Sequence, residues 1–387
     1  MKKANWEIKK LSEVVDFQRG LTYSKNDEVD FSDNIVLRSN NVDLKTNSLD
    51  FDDLRYISNK IEIPESKKVT KGSIIVCTAN GSKSHLGKVA LIDDDYGYAF
   101  GGFMGLLKPK VTLNSNFLFY AMTSDAYKKF IGALSDGANI NNLKFSDLGN
   151  FEITVPPLPE QQRIVSVLDE SFTNISKAKD NAEQNLKNAK ELFESYLHSI
   201  FTNKENNWEE KTLGEVCEDL FAGGDVDKNN MSRTKTDVFS IPIFTNGEKN
   251  KGLYGYTNIA RVTKPSITIS ARGTIGYSEI REEAFYPAVR LIVVIPRLDV
   301  IILPFLKYVI SGMGFIHSGS SIPQLTVPMV KDYPVNLPPL EQQQVIVKKL
   351  DELSNETKKL EAIYEKKLKD LEELKKSILQ KAFNGEL

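Results

Sequence analysis

The sequence PPLPEQQRIVSVLDE, residues 156–170, returns almost unchanged as PPLEQQQVIVKKLDE at residues 338–352. The two stretches are identical at ten of fifteen positions and lie 182 residues apart. The correspondence extends upstream, where NWEIKKLSEV from Asn5 matches NWEEKTLGEV from Asn207, and VTKGSI from Val69 matches VTKPSI from Val262. A repeat of this length indicates a duplicated module about the size of a domain.

Composition is that of an ordinary globular protein. The chain has 387 residues, of which 41% are hydrophobic and 26% charged, enough apolar material for two cores. Cys77 and Cys217 do not occupy equivalent positions in the repeat, so we expect no disulfide framework and a reducing, cytoplasmic location. No apolar run approaches the length of a membrane span. The net charge of −2 neither favours nor excludes nucleic acid, because a basic surface can exist within a neutral total.

In each half the sequence pattern changes from strand-like to helical at the repeated stretch. Before it, β-branched runs bounded by turn-forming residues predict strands at residues 72–77, 88–93, 266–270 and 290–295. Segments beginning at Asn116 and Pro304 predict helices packed on these strands. Each globular part is therefore expected to mix α and β structure.

After the repeated stretch, apolar side chains recur every seven residues in both halves. The spacing is kept by Leu168, Ile175, Ala182, Ala189 and Tyr196 in the first half, and by Leu350, Thr357, Tyr364, Leu371 and Ile378 in the second. This pattern predicts two long amphipathic helices. The small alanines of the first seam face larger residues in the second, which favours an antiparallel pair that returns the C-terminus to the first domain.

The resulting fold class is α+β, with two mixed α/β domains separated by two long antiparallel helices and an internal repeat of approximate two-fold symmetry. We place the first domain at residues 1–155, the first helix at 156–204, the second domain at 205–337 and the second helix at 338–387.

The sequence offers little for catalysis. His85, His198 and His317 have no second ligand at metal-binding spacing. The string GSKSHLGKV from Gly81 has one intervening residue too many for a phosphate-binding loop. We therefore predict a chain that is not an enzyme and has no metal site.

Polar loops with glycines recur in both halves, directly after a predicted strand. Amides, hydroxyls and cations are the groups that reach base edges and phosphates, although each such residue is also typical of solvated surface. In the first half the candidates are Arg19, Lys25, Arg38, Asn80, Ser82, Lys83, Ser84, His85 and Lys88. In the second they are Asn246, Lys249, Lys251, Tyr254, Arg261, Arg272 and Thr274.

The paired PPLPEQQRIV…LDE and PPLEQQQVIV…LDE segments resemble the specificity subunits of type I restriction-modification systems. The strings ARGTIGY, IPIFTNGEKNKGLYGYT and GANINNL also resemble patterns of that family. The resemblance covers essentially the whole chain. It implies two target recognition domains, each reading one half of a bipartite DNA site, alternating with two conserved helices that set the gap and dock the methyltransferase subunits.

The resemblance also implies partners and cofactors. Those partners are double-stranded DNA, modification subunits and restriction or motor subunits, and S-adenosylmethionine, ATP and Mg belong to the partner subunits. Gln161, Gln162, Gln343 and Gln344 are candidates for partner docking, with capping of the helix N-terminus as the alternative. Two other functions stay open: a specificity protein of a related defence system, and a two-headed scaffold that binds proteins.

Overall fold

A computed structural model describes residues 6–136, 142–202, 207–313 and 324–387 of the protein. The chain divides into two compact units. Unit 1 contains residues 1–181 and 367–387, and unit 2 contains residues 182–366. The C-terminal segment therefore belongs to the same unit as the first domain, which confirms the predicted return of the second helix.

The strands of the first domain are β1 (Glu7–Lys10), β2 (Val15–Arg19), β3 (Glu28–Val29), β4 (Asn34–Leu37), β5 (Arg55–Ile57), β6 (Ile74–Cys77), β7 (Val89–Leu91), β8 (Ala99–Phe100), β9 (Met104–Pro109) and β10 (Glu152–Val155). Its short helices are α1 (Leu11–Val14), α2 (Ser115–Thr123), α3 (Asp125–Asp136) and α4 (Phe145–Leu148). The strands form two four-stranded sheets, ordered β2-β9-β6-β7 and β3-β5-β4-β8, and a β1-β10 pair.

The central strand β6 explains why its sequence is continuously apolar. Successive side chains of a strand point to opposite faces, and every residue of β6 is buried. Ile74 packs into a core with Phe117 of α2, whereas Ile75 packs into a second core with Phe100 of β8. The sheet is therefore covered by helices on one face and by the other sheet's residues on the opposite face.

The long helix α5 (Leu158–Thr202) follows, and the second domain repeats the first. Its strands are β11 (Glu209–Thr212), β12 (Cys217–Ala222), β13 (Met231–Ser232), β14 (Ile241–Phe244), β15 (Leu253–Thr257), β16 (Ser266–Ile269), β17 (Ser278–Arg281), β18 (Tyr286–Pro287), β19 (Ile292–Pro296) and β20 (Pro334–Leu337). Its helices are α6 (Leu303–Gly312) and α7 (Val327–Lys331), followed by the long helix α8 (Leu340–Asn384). The sheets are ordered β12-β19-β16-β17 and β13-β15-β14-β18, with a β11-β20 pair, so the topology of the first domain recurs strand for strand.

The helical segment predicted from Asn116 is two helices. Ser124, between α2 and α3, has an extended backbone, and its Oγ accepts a hydrogen bond from the N–H of Tyr127 at 3.3 Å. Serine at such a position satisfies a backbone donor that the first turn of a helix leaves unpaired. The break therefore has a local cause that the apolar periodicity of the segment conceals.

Helices α5 and α8 each contain 45 residues. Within unit 1 they run antiparallel, because Lys179 Nζ lies 3.6 Å from Glu372 Oε1 while Phe172, earlier in α5, lies beneath the ammonium of Lys375, later in α8. The predicted seams are buried at Leu168, Ile175, Ala182, Ala189, Leu350 and Thr357. Tyr196, at the end of the first seam, is 36% exposed. Tyr364, Leu371 and Ile378 of the second seam are half-buried. The sequence spacing thus identified the buried face of most of α5 and of the first part of α8.

Candidate nucleic-acid interface

In the first domain, the loop after β6 and the turn before β9 lie against each other. The carbonyl of Phe103 accepts hydrogen bonds from the N–H groups of Thr78 at 2.9 Å and Ala79 at 3.1 Å. Asn80 Nδ2 donates to Ser39 Oγ at 3.0 Å, which adds the segment after β4. We refer to residues 39–40, 78–85 and 102–103 as the domain-one tip. Three connections from both sheets converge there.

The domain-one tip presents hydroxyls, a cation and one large apolar side chain. Asn80 Oδ1 accepts the N–H of Ser82 at 2.9 Å, and the hydroxyls of Ser82 and Ser84 lie 2.8 Å apart. Ser82, Lys83 and Ser84 are exposed, and the Phe103 ring is 73% exposed. An exposed ring beside polar loop residues suits contact with base edges or insertion at a base step. Sequence reasoning missed Phe103, because its string AFGGFMGLL reads only as a glycine-rich turn before a strand.

Lys88 lies inside the domain and not on the tip. Its side chain is 7% exposed, and Nζ donates to the carbonyl of Val42 at 2.8 Å. Burial lowers the pKa of Lys88, since desolvation disfavours the charged ammonium. The structure therefore assigns Lys88 to holding the segment after β4, and the prediction of a DNA contact is corrected at this position.

Of the other predicted residues of the first half, His85 ends the tip loop, whereas Arg19, Lys25 and Arg38 lie outside the tip. Arg19 is exposed and pairs across the sheet with Gly105, close to the turn. Arg38 borders Ser39, but its Nη2 lies 3.0 Å from Asp53 Oδ2 in an ion pair. Lys25 is exposed in a short helical turn, and His85 is half-buried at the end of the tip loop.

The second domain has an equivalent tip, built by the loop after β16 and the turn before β19. Asn246, after β14, joins them: its Oδ1 accepts the N–H of Ala271 at 2.7 Å and its Nδ2 donates to the carbonyl of Val289 at 2.6 Å. Ser270 Oγ accepts the N–H of Gly247 at 3.0 Å. We refer to residues 246–247, 270–276, 289–290 and 324 as the domain-two tip. Asn246, predicted as a DNA contact, is occupied on both atoms of its amide and positions the neighbouring loops.

Arg272 and Thr274, both predicted to contact DNA, are exposed on the domain-two tip. Arg272 donates from Nε and Nη2 to Gln324 Oε1 at 2.9 and 2.5 Å. Arg290 donates to the same oxygen from Nη1 at 3.2 Å. Sequence reasoning missed Arg290 and Gln324, because both come from distant parts of the chain. The pairing of β19 with β16 brings Arg290 to the tip, and the hydrogen bond from the N–H of Leu325 to the carbonyl of Ala271 places Gln324 there.

Four other predicted residues of the second half have separate partners or lie alone. Tyr254 is stacked under the guanidinium of Arg233, with 4.1 Å between the guanidinium carbon and the ring centroid. The remaining three are exposed: Lys249 in the turn before β15, Lys251 with its Nζ 3.7 Å from Glu279 Oε2, and Arg261 over the ring of Phe221. Within the described ranges, none of the four is hydrogen-bonded to Arg272, Arg290 or Gln324.

The paired glutamines of the repeated stretch separate into buried and exposed members. Gln161 is fully buried; its Nε2 donates to the carbonyls of Thr112 at 3.0 Å and Pro156 at 2.8 Å, and its Oε1 accepts the N–H of Asn114 at 2.8 Å. Gln343 repeats this set in the second domain with Val300, Pro338 and Ile302. Both amides therefore lock a long helix to its own domain and have no exposed surface for a partner. Gln162 and Gln344 are exposed and remain candidates for docking.

The aspartates of the repeated LDE string also have a defined role. Tyr120 donates its hydroxyl to Asp169 Oδ1, and Tyr308 donates to Asp351 Oδ1 at 2.5 Å. Burial, followed by this hydrogen bond, raises the pKa of both tyrosines above the ordinary value. Each pair joins a long helix to α2 or α6 of its own domain.

In the described ranges, which omit His317, no three His, Cys, Asp or Glu side chains are grouped so as to hold a metal ion. Neither 45-residue helix, nor any shorter helix in the described part of the chain, has the apolar length of a membrane span.

Comparison with known proteins gives a consistent set of matches. Residues 3–187 and 205–373 match the model of the type I restriction modification DNA specificity domain. The chain is 32% identical over 182 residues to the type I restriction enzyme EcoKI specificity subunit of Escherichia coli (strain K12), covering 46% of this chain and 39% of that protein. It is 26% identical over 422 aligned positions to the type I restriction enzyme StySPI specificity subunit of Salmonella potsdam, covering 99% of this chain and 89% of that one.

Among solved structures, a chain from a study of complex assembly and conformational transition of the type I restriction-modification system has a TM-score of 0.81. The sequence identity is 20%, and the match covers 100% of this chain and 99% of that one. This likeness confirms the predicted fold.

Proposed function

Because this chain belongs to the type I restriction modification DNA specificity domain family and contains two copies of that domain, we propose that each domain reads one half of a bipartite site in duplex DNA. The chain is a specificity subunit of a type I restriction-modification system. The domain-one and domain-two tips are the proposed reading surfaces.

The duplicated tip carries this proposal. In both domains the strand at the centre of the main sheet ends in a polar loop beside the turn that leads into the neighbouring strand. In domain one the loop donates directly to the carbonyl of Phe103, and in domain two the side chain of Asn246 bridges the loop and the turn. The strand order is the same, but the exposed groups differ: Ser82, Lys83, Ser84 and Phe103 in domain one, and Arg272, Thr274 and Arg290 in domain two. A common framework with different exposed groups suits two half-sites of different sequence.

The long helices are proposed to fix the gap between half-sites and to dock modification subunits. Apolar side chains remain exposed on the part of each helix that lies in unit 2: Leu192 at 51% on α5, and Leu360 at 38% and Ile363 at 57% on α8. Apolar groups one turn apart on a helix suit a protein partner. The exposed Gln162 and Gln344 are the proposed polar contacts near the helix starts.

The chemistry is proposed to reside in the partners. The methyltransferase subunits would bind S-adenosylmethionine, and the restriction or motor subunits would bind ATP and Mg. This chain would recognise the DNA and would not itself be an enzyme. The assembly would act in the cytoplasm. Both described thiols are buried, and burial raises the pKa of Cys77 to about 11 and of Cys217 to about 12, so neither suits nucleophilic work.

Selection from random duplex DNA tests the proposal. The chain, assembled with its modification subunit, is expected to enrich two short half-sites at a constant gap, and methylation mapping in cells should return the same motif. A protein-binding scaffold predicts no enriched sequence. Titration of the isolated chain with S-adenosylmethionine in a calorimeter should give no binding heat; saturable heat would assign the methyl donor to this chain.

A further inference from the structure

Two arginines from separate loops of the domain-two tip converge on one neutral acceptor. Arg272 lies in the loop after β16 and Arg290 in the turn before β19, and both guanidinium groups donate to Gln324 Oε1. Among the described residues neither arginine forms an ion pair. Two like charges held side by side by a neutral amide are unfavourable alone, and a ligand with acceptor atoms would relieve this cost.

The backbone around Arg290 is held in a conformation that side chains rarely adopt. Val289 has a φ of 54° and Arg290 a φ of 60°, and a β-branched residue with positive φ is a clear outlier. The N–H groups of Val289 and Arg290 donate to the carbonyls of Gly224 at 2.8 Å and Gly223 at 3.0 Å, and Asn246 Nδ2 holds the carbonyl of Val289. Strain maintained by several hydrogen bonds is typical of a position selected for where it aims a side chain.

The equivalent positions in domain one carry different chemistry. Phe103 is the domain-one equivalent of Arg290. Phe103 lies two residues before Gly105, which pairs with Val76 of β6. Arg290 lies two residues before Ile292, which pairs with Ile269 of β16. Asn142 precedes Leu143, whose N–H donates to Thr78, as Gln324 precedes Leu325, whose N–H donates to Ala271. A residue that contacts phosphate would be expected in both domains, because the DNA backbone is the same at both half-sites. A contact that changes while the scaffold stays constant suits the reading of sequence.

We propose that Arg272 and Arg290, oriented by Gln324 and Asn246, form a guanine-reading clamp that is specific to domain two. The proposal rests on the DNA-reading function proposed above. The bonds to Gln324 engage Nε and Nη2 of Arg272 and Nη1 of Arg290. Nη1 of Arg272 and both Nε and Nη2 of Arg290 are not engaged by Gln324, and both side chains are exposed. Arginine donors of this kind match the O6 and N7 acceptors of guanine in the major groove.

The test is selection from random duplex DNA with the chain assembled with its modification subunit. The wild type should enrich a guanine in one half-site. Arg290→Ala should lose preference at that base pair, with about a tenfold fall in affinity for the selected site and no change in the other half-site. Arg290→Lys keeps the charge but removes the planar fork, so it should lose the guanine preference while retaining more affinity.

Arg297→Ala is the matched control, because Arg297 is an exposed arginine just beyond the opposite end of β19, paired with Asp299 at 3.6 Å. It should leave the motif unchanged. The thermal midpoint of each variant shows whether it is folded; if Arg290→Ala is not, Arg290→Lys and Arg272→Lys carry the test.

Two results would overturn the clamp while leaving the proposed function intact. Equal weakening of all sequences by Arg290→Ala would make Arg290 a phosphate contact, and an unchanged motif would remove it from the interface. By contrast, failure of the wild type to enrich any sequence would reject the proposed function, and the clamp with it.

Discussion

The buried amide of Gln161 shows how a single residue fixes a long helix to its domain. It accepts the N–H of Asn114, the residue that caps α2, and donates to the carbonyl of Pro156 just before α5. Gln343 does the same between Ile302, before α6, and Pro338. The repeated glutamine is therefore a structural requirement of each module, since removal of a buried partner leaves donors and acceptors unpaired.

Gln161→Ala should lower the free energy of unfolding by about 1–3 kcal/mol, because it leaves one N–H and two carbonyls unsatisfied. Gln162→Ala, at the adjacent exposed position, should change it by less than about 0.5 kcal/mol. Urea unfolding followed by circular dichroism measures both. Equal stability of the two variants would contradict the assigned role of Gln161.

Phe103 allows stability and recognition to be separated at one residue. Its carbonyl organises the tip, but its ring is 73% exposed, so Phe103→Ala keeps the backbone contacts and should leave the unfolding midpoint unchanged. Affinity for the selected DNA should fall, and only the half-site read by domain one should change. Val111→Ala is a matched control, because Val111 is 93% exposed just after β9. If Phe103→Ala binds the motif like the wild type, the ring does not contact DNA.

Sequence alone identified the tip residues that lie in the loop after a buried strand, but not those that come from other parts of the chain. Arg272 and Asn80 follow a buried strand in a glycine-containing loop, which is a local signal. Arg290 and Phe103 reach the tip only through pairing between distant strands, and Gln324 reaches it through the hydrogen bond of Leu325 to Ala271. Lys88 is a cation in a glycine-containing loop, which is typical of a DNA contact. It lies one residue before β7, however, and its side chain is buried.

At the scale of elements, the Tyr–Asp pairs connect each long helix to the short helix beside it. Tyr120 lies in α2 and Tyr308 in α6, and each donates to the aspartate of an LDE string. Because the folded pKa of each tyrosine is raised, the protonated hydroxyl is favoured in the native state. Each contribution to stability is complete below the ordinary tyrosine pKa of about 10 and is lost as pH rises toward the folded value.

The free energy of unfolding should therefore fall above about pH 10, by up to about 1.4 kcal/mol per pH unit for each tyrosine that stays protonated in the fold. Tyr308→Phe should cost about 1 kcal/mol near pH 8 and show a shallower decline between pH 10 and 11. Tyr120→Phe should do the same for the first domain. Urea titrations at several pH values measure the slopes, and slopes identical to that of the wild type would show that these hydroxyls do not govern the alkaline loss.

The seven-residue spacing predicted the buried faces of α5 and α8, because a helix that packs along its length must keep one apolar seam. The sheet order could not be predicted in this way. Although some neighbours, such as β6 and β7, are consecutive in the chain, others, such as β2 and β9, are widely separated, and strand composition does not specify the partner. The break at Ser124 was also missed, since apolar periodicity continues across it.

For the molecule as a whole, the return of residues 367–387 to unit 1 followed from connectivity and helix direction, and the structure confirms it. The division between units falls inside both long helices, between Asn181 and Ala182 and between Lys366 and Lys367. If the helices act as a ruler between half-sites, these two points are where its length can be changed without altering either reading domain.

Insertion of four helix-forming residues at both points should lengthen the preferred gap. Four residues add about 6 Å to a helix, close to two base pairs at about 3.4 Å each, and both helices must be extended because each of them spans the two units. Selection from random duplex DNA should then return unchanged half-sites separated by about two more base pairs. Replacement of four existing residues at the same points with the inserted sequence is the control and should keep the original gap. If the extended protein still prefers the original gap, the helices do not set the spacing, and the half-sites must be positioned by the partner subunits.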